Sequence, residues 1–117
     1  MSTPTYDLLT RHGNTLTVPL RFKSADGSPF DLTGSELVFY CKAQQGSVNL
    51  RKTIGSGLAM SDPASGRVTV TLTAAETRSL PAGRMTDYEI ERRIDGTEKT
   101  LLAGLIEVEA GINDDAA

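Results

Sequence analysis

Two-residue alternation is the feature that most restricts what this chain can fold into. Arg67–Leu72 (RVTVTL) places Val68, Val70 and Leu72 on one side and Arg67, Thr69 and Thr71 on the other. Apolar side chains at every second position require an extended strand with one buried face. Stiff β-branched residues suit such a pleated surface. Asn14–Phe22 (NTLTVPLRF) repeats the pattern, with Leu16, Val18, Leu20 and Phe22 opposite Thr15, Thr17 and Arg21. Pro19 has no N–H for a ladder, so this strand is expected at a sheet edge or a bulge. Glu36–Ala43 (ELVFYCKA) is apolar on both sides, with Leu37, Phe39 and Cys41 opposite Val38, Tyr40 and Lys42, which predicts a central strand.

The intervening segments read as corners. Lys23–Gly34 is dense in turn formers, Asp26-Gly27 above all. Val48–Ile54 alternates through Val48, Leu50, Lys52 and Ile54, which fits a short strand. Gly55-Ser56-Gly57 breaks it, and Leu58 and Met60 mark a further extended piece before a tight turn at Asp62–Gly66. Thr73-Ala74-Ala75-Glu76 has the spacing of a capping box, so Ala74–Leu80 is expected to make one or two helical turns, closed by Pro81 and Gly83. Met85–Ile94 and Glu98–Val108 flank Asp95-Gly96, a dipeptide that tolerates positive φ at both positions and closes a two-residue hairpin. The expected fold is all-β: an antiparallel immunoglobulin-like β-sandwich of about seven strands with one short helical turn. It occupies residues 1–117 as a single domain, with 1–5 and 109–117 as flexible ends.

Composition removes several function classes. Twelve Lys plus Arg against fifteen Asp plus Glu give a net charge of −3, the wrong sign for a protein that lives on phosphate contacts. No Trp, three Tyr and three Phe leave little for stacking on bases or sugars. The only cysteine, Cys41, excludes an internal disulfide, and the only histidine, His12, excludes a His/Cys zinc cluster. Residues 1–10 lack the basic start and long apolar run of a signal peptide, and no stretch reaches the roughly 20 apolar residues of a membrane helix. Neither a nucleic-acid nor a membrane partner is expected.

No catalytic constellation emerges. His12, in Arg11-His12-Gly13-Asn14, reads as a solvent-facing turn residue rather than a general base, which would need supporting partners. Cys41 reads as a small buried hydrophobe. Gly55-Ser56-Gly57 lacks the Gly-Lys-Ser/Thr ending of a phosphate loop and reads as a flexible corner. Asp26, Asp31, Asp62, Asp87, Asp95, Asp114 and Asp115 are scattered and match no calcium loop. The charges around Asp95-Gly96 (Glu89, Glu91, Arg92, Arg93) are expected to form cross-strand ion pairs with Glu98 and Lys99, while Arg51 and Lys52 lie apart. Catalytic, cofactor-binding and metal residues are all read as none, and the chain as no enzyme.

The order of segments carries a resemblance. Gly27-Ser28-Pro29-Phe30-Asp31-Leu32-Thr33-Gly34 precedes an apolar strand; Gly66-Arg67-Val68-Thr69-Val70-Thr71-Leu72-Thr73-Ala74-Ala75-Glu76-Thr77 follows; Gly104-Leu105-Ile106-Glu107-Val108 closes the series. Over residues 14–108 the chain resembles the small β-sandwich structural proteins of tailed phages and prophages, and is similar to the N-terminal domain of the phage baseplate upper protein. The resemblance implies a non-enzymatic tail, baseplate or neck protein, made in the bacterial cytoplasm and placed in the virion. Its partners would be other virion proteins and further copies of itself. It brings no catalytic residues. An immunoglobulin-like or carbohydrate-binding module that attaches to a host surface polymer is the alternative, and it would draw on Tyr6, Tyr40 and Tyr88.

Overall fold

A computed structural model describes residues 4–44 and 49–110. Its strands are β1 (Leu8–Arg11), β2 (Leu16–Arg21), β3 (Glu36–Ala43), β4 (Asn49–Ile54), β5 (Gly57–Asp62), β6 (Arg67–Leu72), β7 (Gly83–Ile94) and β8 (Thr97–Glu109). A single 3-10 turn (Pro63–Ser65) precedes β6, and helix α1 (Ala74–Ser79) follows it. All eight strands join one sheet in the order β1-β8-β7-β3-β4-β5-β6-β2. The all-β class is as expected. The finer expectation differs from this hydrogen bonding: the described residues form eight strands in a continuous sheet, and the β1–β8 and β4–β5 pairs are parallel.

The strands with the strongest alternation lie where their patterns put them. β3 is central, hydrogen-bonded to β4 and β7, and Leu37, Val38, Phe39 and Cys41 are all buried. β2 is the terminal strand at one edge, the first of the two places that Pro19 allows. The Phe22 N–H bonds to the Gly66 carbonyl on the β6 side, so by alternation Pro19 turns its N–H-less nitrogen to the open side. Asp95 (φ 51°) and Gly96 (φ 78°) join β7 to β8, as that dipeptide predicts. The Thr73 hydroxyl accepts from the Glu76 N–H at 3.2 Å and the Glu76 carboxylate accepts from the Thr73 N–H at 2.8 Å, completing the capping box. The Val48–Ile54 segment forms β4 from Asn49; Val48 itself lies outside the described residues.

β1 was not foreshadowed: Leu8-Leu9-Thr10-Arg11 is short, and its pairing with β8 spans almost the whole chain. Pro4 and Thr5, assigned to a loose end, hydrogen-bond along the same strand, and Glu109 is the last residue of β8. A Cβ on Gly104 would overlap the Tyr6 carbonyl and lie 3.0 Å from the Tyr88 ring, so only glycine lets this segment lie so close to β8. The Tyr88 hydroxyl donates to that same Tyr6 carbonyl.

The two terminal strands, β1 and β2, are consecutive in the chain and joined by residues 12–15 alone. Their connection draws the sheet edges together, so the sheet rolls into a nearly closed barrel around one core. Phe39, Ile90 and Ile106 meet Leu58, Val70 and Leu72 inside it. Leu32, from the turn-rich segment, is fully buried and plugs one end, its N–H bonded to the Pro63 carbonyl at 2.8 Å.

Candidate functional site

The seam between the two edges is fastened at one end and open at the other. At the fastened end the His12 ring donates to the Leu80 carbonyl at 2.7 Å, and the Thr77 hydroxyl donates to the Asn14 carbonyl at 2.9 Å, so α1 is bolted across the β1–β2 link. His12 lies in a turn, as expected, but does not face solvent: it is buried and used as a structural donor. Its neighbourhood in sequence gave no sign of this, because its acceptor is 68 residues away.

At the other end the edges diverge into a cleft of about 600 Å³ between Pro19–Ala25 and Lys99–Leu102, bordered also by Pro4, Tyr6 and Phe30. That volume lies in the ~300–1,000 Å³ range of pockets that enclose a ligand or short segment. β1 covers the outer edge of β8 only from Ile106, and Thr5 bridges to Ala103. Among the described residues, nothing pairs with that edge over Lys99–Leu102. A bulge at Leu101 on β8, opposite Ile90 and Glu91 of β7, leaves the successive Leu101 and Leu102 both buried. Leu20, Phe22 and Phe30 supply the rest of the apolar lining.

Among the described residues, the charged side chains lining this cleft are Arg21, Lys23 and Lys99, with no carboxylate. All three are exposed, and none has an ion-pair partner among the described residues. Lys99 thus departs from the ion pairing expected at the hairpin, where Arg93 instead engages Glu91 at 2.7 Å and Glu98 at 3.7 Å. The sequence reading missed this cluster because Lys99 is far along the chain from Arg21 and Lys23. The only early hint was Pro19, which marked β2 as an edge.

The other sequence candidates serve the fold. Cys41 is buried, and burial pushes its thiol pKa up to about 12, with Glu76 adding to the rise and Lys52 opposing it. A thiol reagent such as Ellman's is expected to leave Cys41 untouched in the native protein at pH 8 and to label it fully in denaturant. Rapid native labelling would contradict this burial. Lys52 pairs with Glu76, tying β4 to α1, and stands over Gly57. Gly55 sits at φ 87° in the corner between β4 and β5, consistent with a turn glycine.

Several aspartates brace local backbone. Asp26 accepts from the Ser28 hydroxyl at 2.6 Å and from its N–H at 3.0 Å; Asp31 accepts from the Thr33 N–H at 2.9 Å; Asp7 accepts from the Leu105 N–H at 3.1 Å and from Arg84 at 2.9 Å. These bonds, with the Thr33 side chain the largest influence on Asp31, hold all three carboxyls below their ordinary value of 3.8. Burial works to raise Glu76, but Lys52 and the Thr73 N–H outweigh it and bring it below 4.5. A folded pKa below the unfolded one gives stability that is complete above the unfolded value and lost as pH falls through the folded one. The melting temperature is therefore expected to hold steady from pH 7 to 5 and to fall below about pH 4. A maximum near pH 3 would contradict these assignments. Asp114 and Asp115 lie outside the described residues. Among the described residues no three His, Cys, Asp or Glu side chains gather as a metal-binding set, and no helix is long and apolar enough to cross a membrane.

Of the aromatic residues, Tyr88 is buried and stacks on Phe39 with ring centroids 5.5 Å apart, while Tyr40 accepts a hydrogen bond from Arg93 at 2.6 Å and lies under Arg51. Tyr6, 53% exposed, is the one aromatic side chain left largely open, and it borders the cleft. Compared with known proteins, the chain matches no family model and no curated protein.

Proposed function

We propose that this chain is a non-enzymatic structural protein of a tailed-phage or prophage particle, associated with the tail, baseplate or neck and working through protein–protein contacts. The observation that supports a contact role is the open seam: an apolar cleft beside a stretch of sheet edge, ringed by cations, neither of which has a partner among the described residues. Soluble proteins usually cover or blunt such edges, and partners exploit those left open. The virion setting comes from the ordered motifs at residues 27–34, 66–77 and 104–108. Two of these, distant in the chain, meet in space: the Phe30 carbonyl sits against Gly66.

The immunoglobulin-like arrangement belongs to the same proposal. Flattening the barrel would set β1-β8-β7-β3 over β4-β5-β6-β2, two halves that already share one core. The sugar-binding alternative has less to draw on, since Tyr6 alone of the aromatic residues is well exposed.

The test is incorporation into particles. Tailed particles induced from cells carrying the gene, purified on a density gradient and probed with an antibody, are expected to contain the chain in a fixed ratio to a tail protein. Protein abundant in the lysate but absent from the particle band would overturn the proposal.

A further inference from the structure

Helix α1 closes over the core at the fastened end of the seam, and its side chains are held there by polar contacts. We propose that α1 is a hinged lid, latched to β4 through Glu76 and Lys52, which swings open on the folded sheet and uncovers the Cys41 thiol.

Ala74-Ala75-Glu76-Thr77-Arg78-Ser79 contains no large apolar residue, and Thr77 is the one residue of the helix that is buried. Six residues are too few for a helix to persist unsupported in water. Apolar burial, which fixes the strands, therefore contributes little to keeping α1 closed. Its ties among the described residues are polar. The Thr77 hydroxyl donates to the Asn14 carbonyl, and Lys52 pairs with one oxygen of the Glu76 carboxylate. The other oxygen accepts from the Thr73 N–H in the capping box, so Glu76 serves both the helix and the latch. Closure also carries a cost: the Arg78 Nε is buried with no hydrogen-bond partner among the described residues. Segments with few apolar contacts open at free energies well below that of global unfolding.

Strand register shows what the lid covers. Lys52 is opposite Phe39 and Leu50 is opposite Cys41, so Lys52 and Cys41 share the core-facing side of β3 and β4. The thiol feels both charges of the latch, the Glu76 carboxylate and the Lys52 ammonium. The flanks of the helix suit hinges. Thr73 and Leu80 are extended, with ψ 165° and 145°, and Gly83 follows at φ 95°. Leu80 is buried and His12 holds its carbonyl, which makes it the pivot.

Hydrogen exchange on the intact protein tests the lid itself. The Glu76, Thr77 and Leu80 amides, which bond within residues 73–80, are expected to exchange about a hundredfold or more faster than those at the centre of β3 and β7. Low urea should leave their rates unchanged. Ellman's reagent at pH 8 then reads the uncovering of Cys41. Glu76→Gln breaks the ion pair but keeps the capping box, which glutamine also forms. Lys52→Met combined with Glu76→Gln leaves no orphaned charge. Circular dichroism and melting first confirm that both variants fold. Each is expected to label about tenfold or more faster than wild type, at urea concentrations too low to unfold the sheet. Gly27→Ala, which strains a turn away from the latch, should label as wild type does. Amides in α1 that exchange as slowly as those of β3 overturn the inference. So does labelling in the latch variants that matches wild type, or that rises with urea only in step with global unfolding.

Discussion

Replacing Gly66 with alanine is expected to be among the most damaging single changes in this protein, costing about 2–5 kcal/mol of stability. Gly66 has φ +73°, where an L side chain is strained. A Cβ there would overlap the Phe22 carbonyl oxygen and stand 2.7 Å from that of Phe30. Both obstacles are backbone, so neither can swing aside. The same corner carries the Phe22 N–H bond to the Gly66 carbonyl at 2.8 Å and the Gly66 N–H bond to the Pro63 carbonyl at 3.1 Å. Relief would have to move β2, the 3-10 turn and the Leu32 loop together. Gly27 is the control: its φ is +87°, but nothing lies within 4 Å of a Cβ. Gly27→Ala is expected to cost only about 1–2 kcal/mol, the backbone strain alone. Urea unfolding of the two variants beside wild type measures the difference. Equal losses would mean that the packing at Gly66 contributes nothing.

Phe39→Ala is expected to cost about 3–5 kcal/mol, the usual range for emptying a fully buried aromatic site. Phe39 has no exposed surface and lies on β3 between β4 and β7, stacked on Tyr88 with an interplanar angle of 28°. The loss should extend beyond the core. Tyr88 holds the Tyr6 carbonyl, and Tyr6 borders the cleft, so a Tyr88 ring freed of its stacking partner would loosen that rim. Phe39→Leu retains most of the volume and should cost clearly less than the alanine variant. Chemical denaturation reads the stability, and a loss below about 1 kcal/mol for Phe39→Ala would contradict this packing.

The elements legible beforehand are those whose cause lies within a few residues. RVTVTL becomes β6 with Val68, Val70 and Leu72 buried, because strand geometry itself imposes the alternation. Asp95-Gly96 and the Thr73–Glu76 box depend on the φ preferences and side-chain reach of adjacent residues. Elsewhere the local signal misled. His12 reads as solvent-facing because nothing nearby is its partner, yet from its turn it is buried and fastens the seam through Leu80. Leu32 reads as part of a polar corner, yet it is wholly buried.

Taken by itself, then, the amino-acid order determined that this is a mainly β protein, where most strands run, and that β2 stands at an edge or a bulge, since Pro19 cannot donate to a ladder; the sheet order selects the edge. It also carried the capping box and the hairpin. Only the tertiary structure decided that the strands form one rolled sheet, that β1 runs parallel to β8, and that Arg21, Lys23 and Lys99 surround a single opening. The reason is one of range: strand and turn preferences act between neighbours along the chain. Which edges face each other, and which charges gather there, depends on how the whole sheet closes over its core.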